Sequence, residues 1–150
     1  MLTKENGEIT DGTITTLSKK FDYCNVLCLY SLWKNIENEQ LIIDKRNKIF
    51  GKYCTVITDI EEFLNRVVKA VEKENYVYRI QNVNYINKNF EYKIDDQEIP
   101  FTKFDIFSYQ KEFRIAIDTK RNKNEPYKLE IGDLRDITIT TTFDKIVIEN

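Results

Sequence analysis

Apolar and polar positions alternate most clearly in residues 108–118, Ser-Tyr-Gln-Lys-Glu-Phe-Arg-Ile-Ala-Ile-Asp. Successive strand side chains point to opposite faces, so Phe113, Ile115 and Ile117 share one face and Gln110, Glu112 and Arg114 the other. The pattern predicts a central strand on which an amide, an acid and a guanidinium stand in a row. They are expected to project together into a concavity, with small Ala116 leaving space beside them. A second pattern has the helical period: Ile60, Phe63, Leu64, Val67, Val68 and Val71 recur every three or four positions. It predicts one main amphipathic helix over about 58–74. Thr58-Asp59-Ile60-Glu61 reads as its capping box, with Thr58 capping the first turn and Glu61 reaching back.

The remaining patterns predict strands. The nearly unbroken apolar run 26–33 suits a strand buried on both faces, with a short helix the alternative that the pattern leaves open. Residues 48–57 read as another, with Gly51 marking a bulge or a close backbone approach. Residues 76–80 and 83–86 are strand-like with an interruption near Gln81-Asn82, and 90–94 predict a further short strand. After the polar, basic loop 119–126, residues 127–131 are expected to return antiparallel to the central strand. A turn over 132–136 then precedes strands at 137–141 and 145–148. Residues 1–20 are polar and read as a loosely held arm with one short strand at Thr13-Ile14-Thr15-Thr16-Leu17. The sum is one α+β domain over 1–150, a mixed, mainly antiparallel sheet packed by one main helix.

Composition changes this picture mostly by exclusion. The chain of 150 residues is long enough for a core of its own. Charged residues at 32% and hydrophobic ones at 41% mark a folded rather than a disordered chain. A formal charge of −2 supplies no global field for nucleic acid or anionic membrane. No apolar run approaches the roughly 18 residues of a membrane span. The first residues lack the apolar core of a signal peptide. Cys24, Cys28 and Cys54 are an odd number in unpromising spacings, so buried free thiols in a reducing cytoplasm are expected rather than disulfides.

There is no histidine. That removes Ser-His-Asp and Cys-His pairs, His-ligated metals and imidazole acid–base chemistry. The four glycines are scattered, so neither a phosphate-binding P-loop nor a dinucleotide fingerprint is available. Carboxylate, amide, thiol and tyrosine chemistry remain. Gln110-Lys111-Glu112 would place both side chains on one strand face about 7 Å apart. That spacing suits gripping a ribose and steadying an oxocarbenium-like transition state. Glu91-Tyr92-Lys93 has the Glu-x-Lys form of metal-dependent nucleases, but no partner Asp stands out and no metal site is expected. Lys120, Arg121 and Lys123, with Tyr127 nearby, could touch phosphate or RNA. Asp95-Asp96-x-Glu98 lacks the spacing and Gly of a calcium loop.

Two resemblances add to these readings. Gln110-x-Glu112 resembles the Gln-x-Glu of Rho-modifying clostridial mono-ADP-ribosyltransferases. The likeness implies NAD as the co-substrate, Glu112 as the catalytic residue and Gln110 choosing the acceptor. This chain has no Arg before Arg46 and no Ser-Thr-Ser stretch, both of which those enzymes use. More broadly, several blocks resemble, in content and order, uncharacterised bacterial and prophage proteins, some from abortive-infection or phage-defence neighbourhoods. The blocks run from Leu27-Cys28-Leu29-Tyr30 through Phe50-Gly51-Lys52-Tyr53, Val83-Asn84-Tyr85, Lys103 and Tyr109-Gln110-Lys111-Glu112-Phe113-Arg114 to Gly132-Asp133-Leu134-Arg135-Asp136. In those families a Tyr-Glu-x-Glu-aromatic-Arg strand follows a Cys-containing strand and an isolated Lys; this chain carries Gln110 where many have Glu. The likeness implies a small cytoplasmic protein of phage–host conflict. The missing catalytic residues favour binding over turnover, with no cofactor, by Gln110, Glu112, Arg114, Tyr109 and Lys103. The expected partner is a nucleotide-like ligand or a protein; self-association is open, and neither membrane nor nucleic acid is expected.

Overall fold

The alternation beginning at Phe113 does form a strand, and it is paired along both edges. The structure is a computed structural model that describes residues 24–32, 36–37, 40–91, 93–121 and 125–149. Its strands are β1 (Cys24–Tyr30), β2 (Ile36–Glu37), β3 (Gln40–Asp44), β4 (Tyr53–Ile57) and β5 (Val77–Asn82). They continue with β6 (Asn84–Ile86), β7 (Thr102–Phe104), β8 (Glu112–Asp118), β9 (Thr138–Thr142) and β10 (Val147–Glu149). A single α-helix among the described residues, α1 (Ile60–Lys73), stands between β4 and β5. The class is α+β, and antiparallel pairings outnumber parallel ones, the latter being β3–β10 and β6–β7.

The chain divides into two compact units, each drawn from two separated segments. One takes the described residues of Met1–Tyr30 and Val71–Lys128, the other those of Ser31–Ala70 and Leu129–Asn150. The first unit is built on an antiparallel sheet of order β1-β8-β5. Being central, β8 is buried almost throughout: Phe113, Ile115, Ala116 and Ile117 join Ile80, Val83 and Phe101 in that unit's core. The register sets Ile115 beside Leu27 and Ile80, and Arg114 beside Cys28 and Gln81. β1 departs from expectation. It occupies the edge of the sheet among the described residues, with Val26 40% and Leu27 48% exposed, because β8 covers only one of its flanks. Cys24 and Cys28 on the same strand are exposed rather than buried.

In the second unit β4 pairs antiparallel with β9, and β3 takes β2 antiparallel and β10 parallel. Its core holds Ile43, Phe63, Val67, Ile137, Phe143 and Ile146. The predicted helix is present, with its cap one residue later than expected. Asp59 Oδ1 accepts the Glu62 N–H at 2.9 Å, while the Thr58 N–H goes instead to the Ile137 carbonyl. A carboxylate at the N-cap also meets the positive end of the helix, which a Thr hydroxyl does less well. Asn75 closes the other end in the left-handed region (φ 55), where Asn carries little penalty; the Tyr76 N–H reaches Val71 O and the Asn75 N–H reaches Glu72 O. Arg66 pins the helix from its wet side. Its guanidinium takes Glu62 one turn back, both Asp136 carboxylate oxygens and the Asp133 carbonyl.

Several predicted strands are not strands. Residues 45–50 form a 3-10 helix capped by Asp44, and Gly51 (φ 145) turns the chain into β4, so the predicted strand keeps only its second half. The break between β5 and β6 falls at Val83, immediately after the predicted Gln81-Asn82. The described residues of 90–94 are irregular, and so are 127–131. The return partner of β8 is therefore β5 and β1, not 127–131, which leaves the latter without the ladder the alternation alone would suggest. The N-terminal arm 1–20, Trp33, Tyr92 and Lys123 lie outside the described residues.

Candidate functional site

β8 sorts its side chains as the alternation predicts, and strand register extends that sorting across the sheet. On the face of Glu112, Arg114, Ala116 and Asp118 lie Cys24, Val26, Cys28 and Tyr30 from β1, and Val77, Arg79 and Gln81 from β5. So many polar groups on one sheet face need partners once buried. Segment 97–110 supplies them. Arg79 pairs with the Glu98 carboxylate at 2.5 Å and donates to the Gln97 carbonyl at 3.1 Å. Gln81 Nε2 reaches Glu98 Oε2 at 3.4 Å, and an Arg114 N–H reaches the Pro100 carbonyl. The segment thus crosses this face held by hydrogen bonds from the strands beneath. Phe101 is its apolar anchor, with no exposure, and carries the Arg79 guanidinium 5.0 Å from its ring centre.

The predicted site residues meet at one end of this arrangement, by a route the alternation does not describe. Residues 105–110 form a 3-10 helix rather than strand, and Lys111 takes a left-handed turn (φ 40) before β8 begins at Glu112. The turn brings Gln110 and Glu112 onto the same ammonium instead of setting them about two strand residues apart. Lys103 Nζ donates to Gln110 Oε1 and, at 2.6 Å, to Glu112 Oε1. Arg114 Nε donates to the other carboxylate oxygen at 2.6 Å. Gln110 Nε2 donates to the Tyr109 hydroxyl at 3.2 Å, and Lys103 stands 5.0 Å from the centre of the Phe107 ring. All five predicted residues are therefore in one connected cluster.

Its surroundings differ from the concavity expected. Gln110 and Glu112 are buried, while the Lys103 side chain keeps 24% of its exposure and is the cluster's most accessible charge. Ala116 is fully buried between Val26 and Arg79, so no space remains beside it. A hollow of about 60 Å³ does exist in this unit, at the far end of β8, but it is lined by Asn25, Thr119, Arg121, Glu125, Pro126 and Tyr127 and by none of the predicted site residues. There Arg121 lies 4.9 Å from the centre of the Tyr127 ring. Glu91 and Lys93 are exposed and in no strand, so Glu-x-Lys is not held in the nuclease geometry. Among the described residues no group of His, Cys, Asp and Glu side chains gathers as a metal would require.

Sequence reasoning missed four contributors. The Tyr85 hydroxyl accepts the Glu112 N–H at 3.0 Å, fixing the start of β8. Arg79, Glu98 and Pro100 secure the covering segment. Arg79 and Gln81 share strand parity, a signal that could have placed them together. Tyr85 stands in one of the blocks of the resemblance, but nothing in its pattern points to Glu112, and nothing marks the Pro100 carbonyl.

Burial pushes the Glu112 carboxyl upward, but hydrogen bonds from Lys103 and Arg114 outweigh it and hold the group below the usual carboxylate range. Cys28 is exposed as a residue, but partial desolvation of its thiol and the neighbouring Glu112 push that thiol up, which keeps it protonated and a poor nucleophile. The Glu112 depression fixes a sign. The folded-state value lies below the unfolded one, so the carboxylate adds stability above an unfolded pKa of about 4.3 and that stability drains as pH falls through the folded value. Urea unfolding from neutral pH downward is expected to show a steeper loss in the wild type than in Glu112→Gln. Parallel curves would mean the carboxylate is not held ionised by its neighbours. No family model, curated protein or solved structure matches this chain, which leaves the chemistry of the cluster itself as the guide to function.

Proposed function

We propose that the protein acts by binding, and that the cluster of Lys103, Gln110, Glu112 and Arg114, with Tyr109 beside it, holds a nucleotide-like ligand through its phosphate. The observation that carries this is charge: two cations converge on one carboxylate, so the cluster keeps one unit of positive charge, and its accessible member is Lys103. A lysine ammonium with Phe107 beneath it is a point charge suited to a phosphate oxygen. The phage–host setting implied by the sequence resemblance belongs to the same proposal. The transferase reading asks Glu112 to offer an oxygen to a ribose. One of its oxygens receives Lys103 and the other Arg114, which makes turnover the less supported reading.

The test is thermal unfolding with NAD, ADP-ribose and cyclic nucleotides. A ligand at about a hundredfold over its Kd adds about 2.7 kcal/mol, which for a chain of this size raises Tm by about 5–10 °C. At least one compound is expected to do so in the wild type and not in Lys103→Met. A flat response to all of them removes the small-ligand reading. Transfer of label from NAD to lysate proteins, abolished in Glu112→Gln, would restore the transferase.

A further inference from the structure

The second unit carries a feature unrelated to this cluster. From Lys45 to Tyr53 the chain reads Lys-Arg-Asn-Lys-Ile-Phe-Gly-Lys-Tyr, which is four cations and no acid within a chain of net charge −2. The structure does not bury the apolar members of this stretch. Ile49 is 75%, Phe50 69% and Tyr53 70% exposed, although Asn47 between them and Asp44 is turned inward, its amide donating to the Asp44 carbonyl at 3.1 Å. An arrangement that hides an amide and shows three large apolar side chains within five residues is not explained by the unit's own packing. Arg46 is paired with Asp44, and Lys48 Nζ with Asp144 at 2.8 Å. Lys45 and Lys52 form no salt bridge among the described residues, although Lys52 adds to the field that Lys48 sets on Asp144, so four cations face two carboxylates and the patch retains two units of positive charge around its apolar tip.

We propose that this stretch is a docking tip for an anionic lipid surface. Ile49 and Phe50 would enter the headgroup–acyl boundary, and Tyr53 would sit at headgroup depth, where a ring with a polar end is favoured. Lys45 and Lys52, supported by Arg46 and Lys48, face the lipid phosphates and carboxylates. The whole-chain charge disfavours such a surface on average, but attraction of this kind acts within about one Debye length, near 8 Å at physiological salt, so the local balance governs. A single-stranded nucleic acid is the less suitable partner for the same charges. Base stacking needs free aromatic faces. The most exposed side chain here is the aliphatic Ile49, and the Tyr53 ring already has Lys52 Nζ 5.6 Å from its centre. Gly51 (φ 145), in a conformation that favours glycine, ends the 3-10 helix just after the two apolar groups, its N–H closing on the Lys48 carbonyl before β4 begins.

The test is flotation of the whole protein with phosphatidylcholine vesicles and with vesicles that also contain phosphatidylserine. Binding is expected only to the second kind, weakening as salt is raised. The double variant Lys45→Gln/Lys52→Gln is expected to lose about 25-fold in partitioning, about fivefold for each charge. Ile49→Ser/Phe50→Ser is expected to lose about tenfold or more. All four positions are exposed, so both variants should melt like the wild type, and Tm is measured alongside. The proposal is overturned if phosphatidylserine vesicles leave the protein behind, if neutral vesicles take it equally, or if either folded variant floats as well as the wild type. An oligothymidylate bound in place of the vesicles, and lost in the same variants, would overturn it in favour of nucleic acid.

Discussion

Truncating Glu112 to alanine is expected to destabilise the fold by about 3–5 kcal/mol, the largest effect of any single polar substitution argued from this structure. The loss is less the value of the ion pairs than the cost of what remains. With the carboxylate gone, the Lys103 ammonium and the Arg114 guanidinium face each other in a largely buried setting with no anion between them. Gln110 Oε1 alone stays on Lys103, and Arg114 retains the Pro100 carbonyl. At about 2–4 °C of Tm per kcal/mol for a chain of this size, melting should fall by about 6–20 °C. Glu112→Gln keeps the shape and an acceptor and should cost less than half as much. If the alanine variant lies within about 0.5 kcal/mol of wild type, the value usual for surface changes, the cluster is not the buried hub described above.

Phe101→Ala is expected to cost a comparable 3–5 kcal/mol, for an unrelated reason. Phe101 is fully buried, so its removal forfeits the transfer free energy of the ring and leaves a cavity under segment 97–110. It also withdraws the face on which the Arg79 guanidinium rests. Because that segment carries Lys103 and Gln110, the variant should weaken ligand binding at the cluster together with stability. Phe50→Ala is the built-in comparison: the same substitution at a side chain 69% exposed should change unfolding free energy by no more than about 0.5 kcal/mol. Chemical denaturation of the two variants decides the matter, and equal effects would contradict the assignment of core and surface.

Elements with a single sustained period were legible in the sequence. α1 shows its apolar stripe because its buried positions 63, 67 and 71 recur at helical spacing. β8 shows its alternation because the two faces of its sheet differ in chemistry. The cap of α1 lies one residue beyond the one the pattern favours, since Thr58 and Asp59 are both good capping residues and what separates them is that Asp59 accepts the Glu62 N–H while the Thr58 N–H goes to Ile137. That bond spans too many residues for a local pattern to reveal. The 3-10 helices at 45–50 and 105–110 have no apolar period of their own, and their second halves, 48–50 and 108–110, pass as the start of the strands that follow. The run at β1 looked like a central strand because apolar content does not report how many neighbours a strand has.

The nearness of the five candidate residues was legible, and the way they are joined was not. Parity names Gln110, Glu112 and Arg114, and the resemblance to the prophage families adds Lys103 and Tyr109. What joins them is the left-handed turn at Lys111, a conformation that Lys seldom adopts and that no propensity would assign. Burial of the row likewise depends on segment 97–110 lying across it, and its carbonyls at Gln97 and Pro100 are backbone groups that carry no sequence signature.

Strand order has a consequence for how the chain is made. β1 waits for β8, β4 for β9, and β3 for β10, its parallel neighbour, so each of these sheets is completed by a strand from the last third of the polypeptide. A nascent chain emerging from the ribosome can coil α1 early, since its contacts are local. Until residue 118 has cleared the exit tunnel, however, β1 and β5 have no common partner, and their apolar edges face whatever else is in reach. Yield of folded protein should therefore be limited by the interval between translating β1 and translating β8.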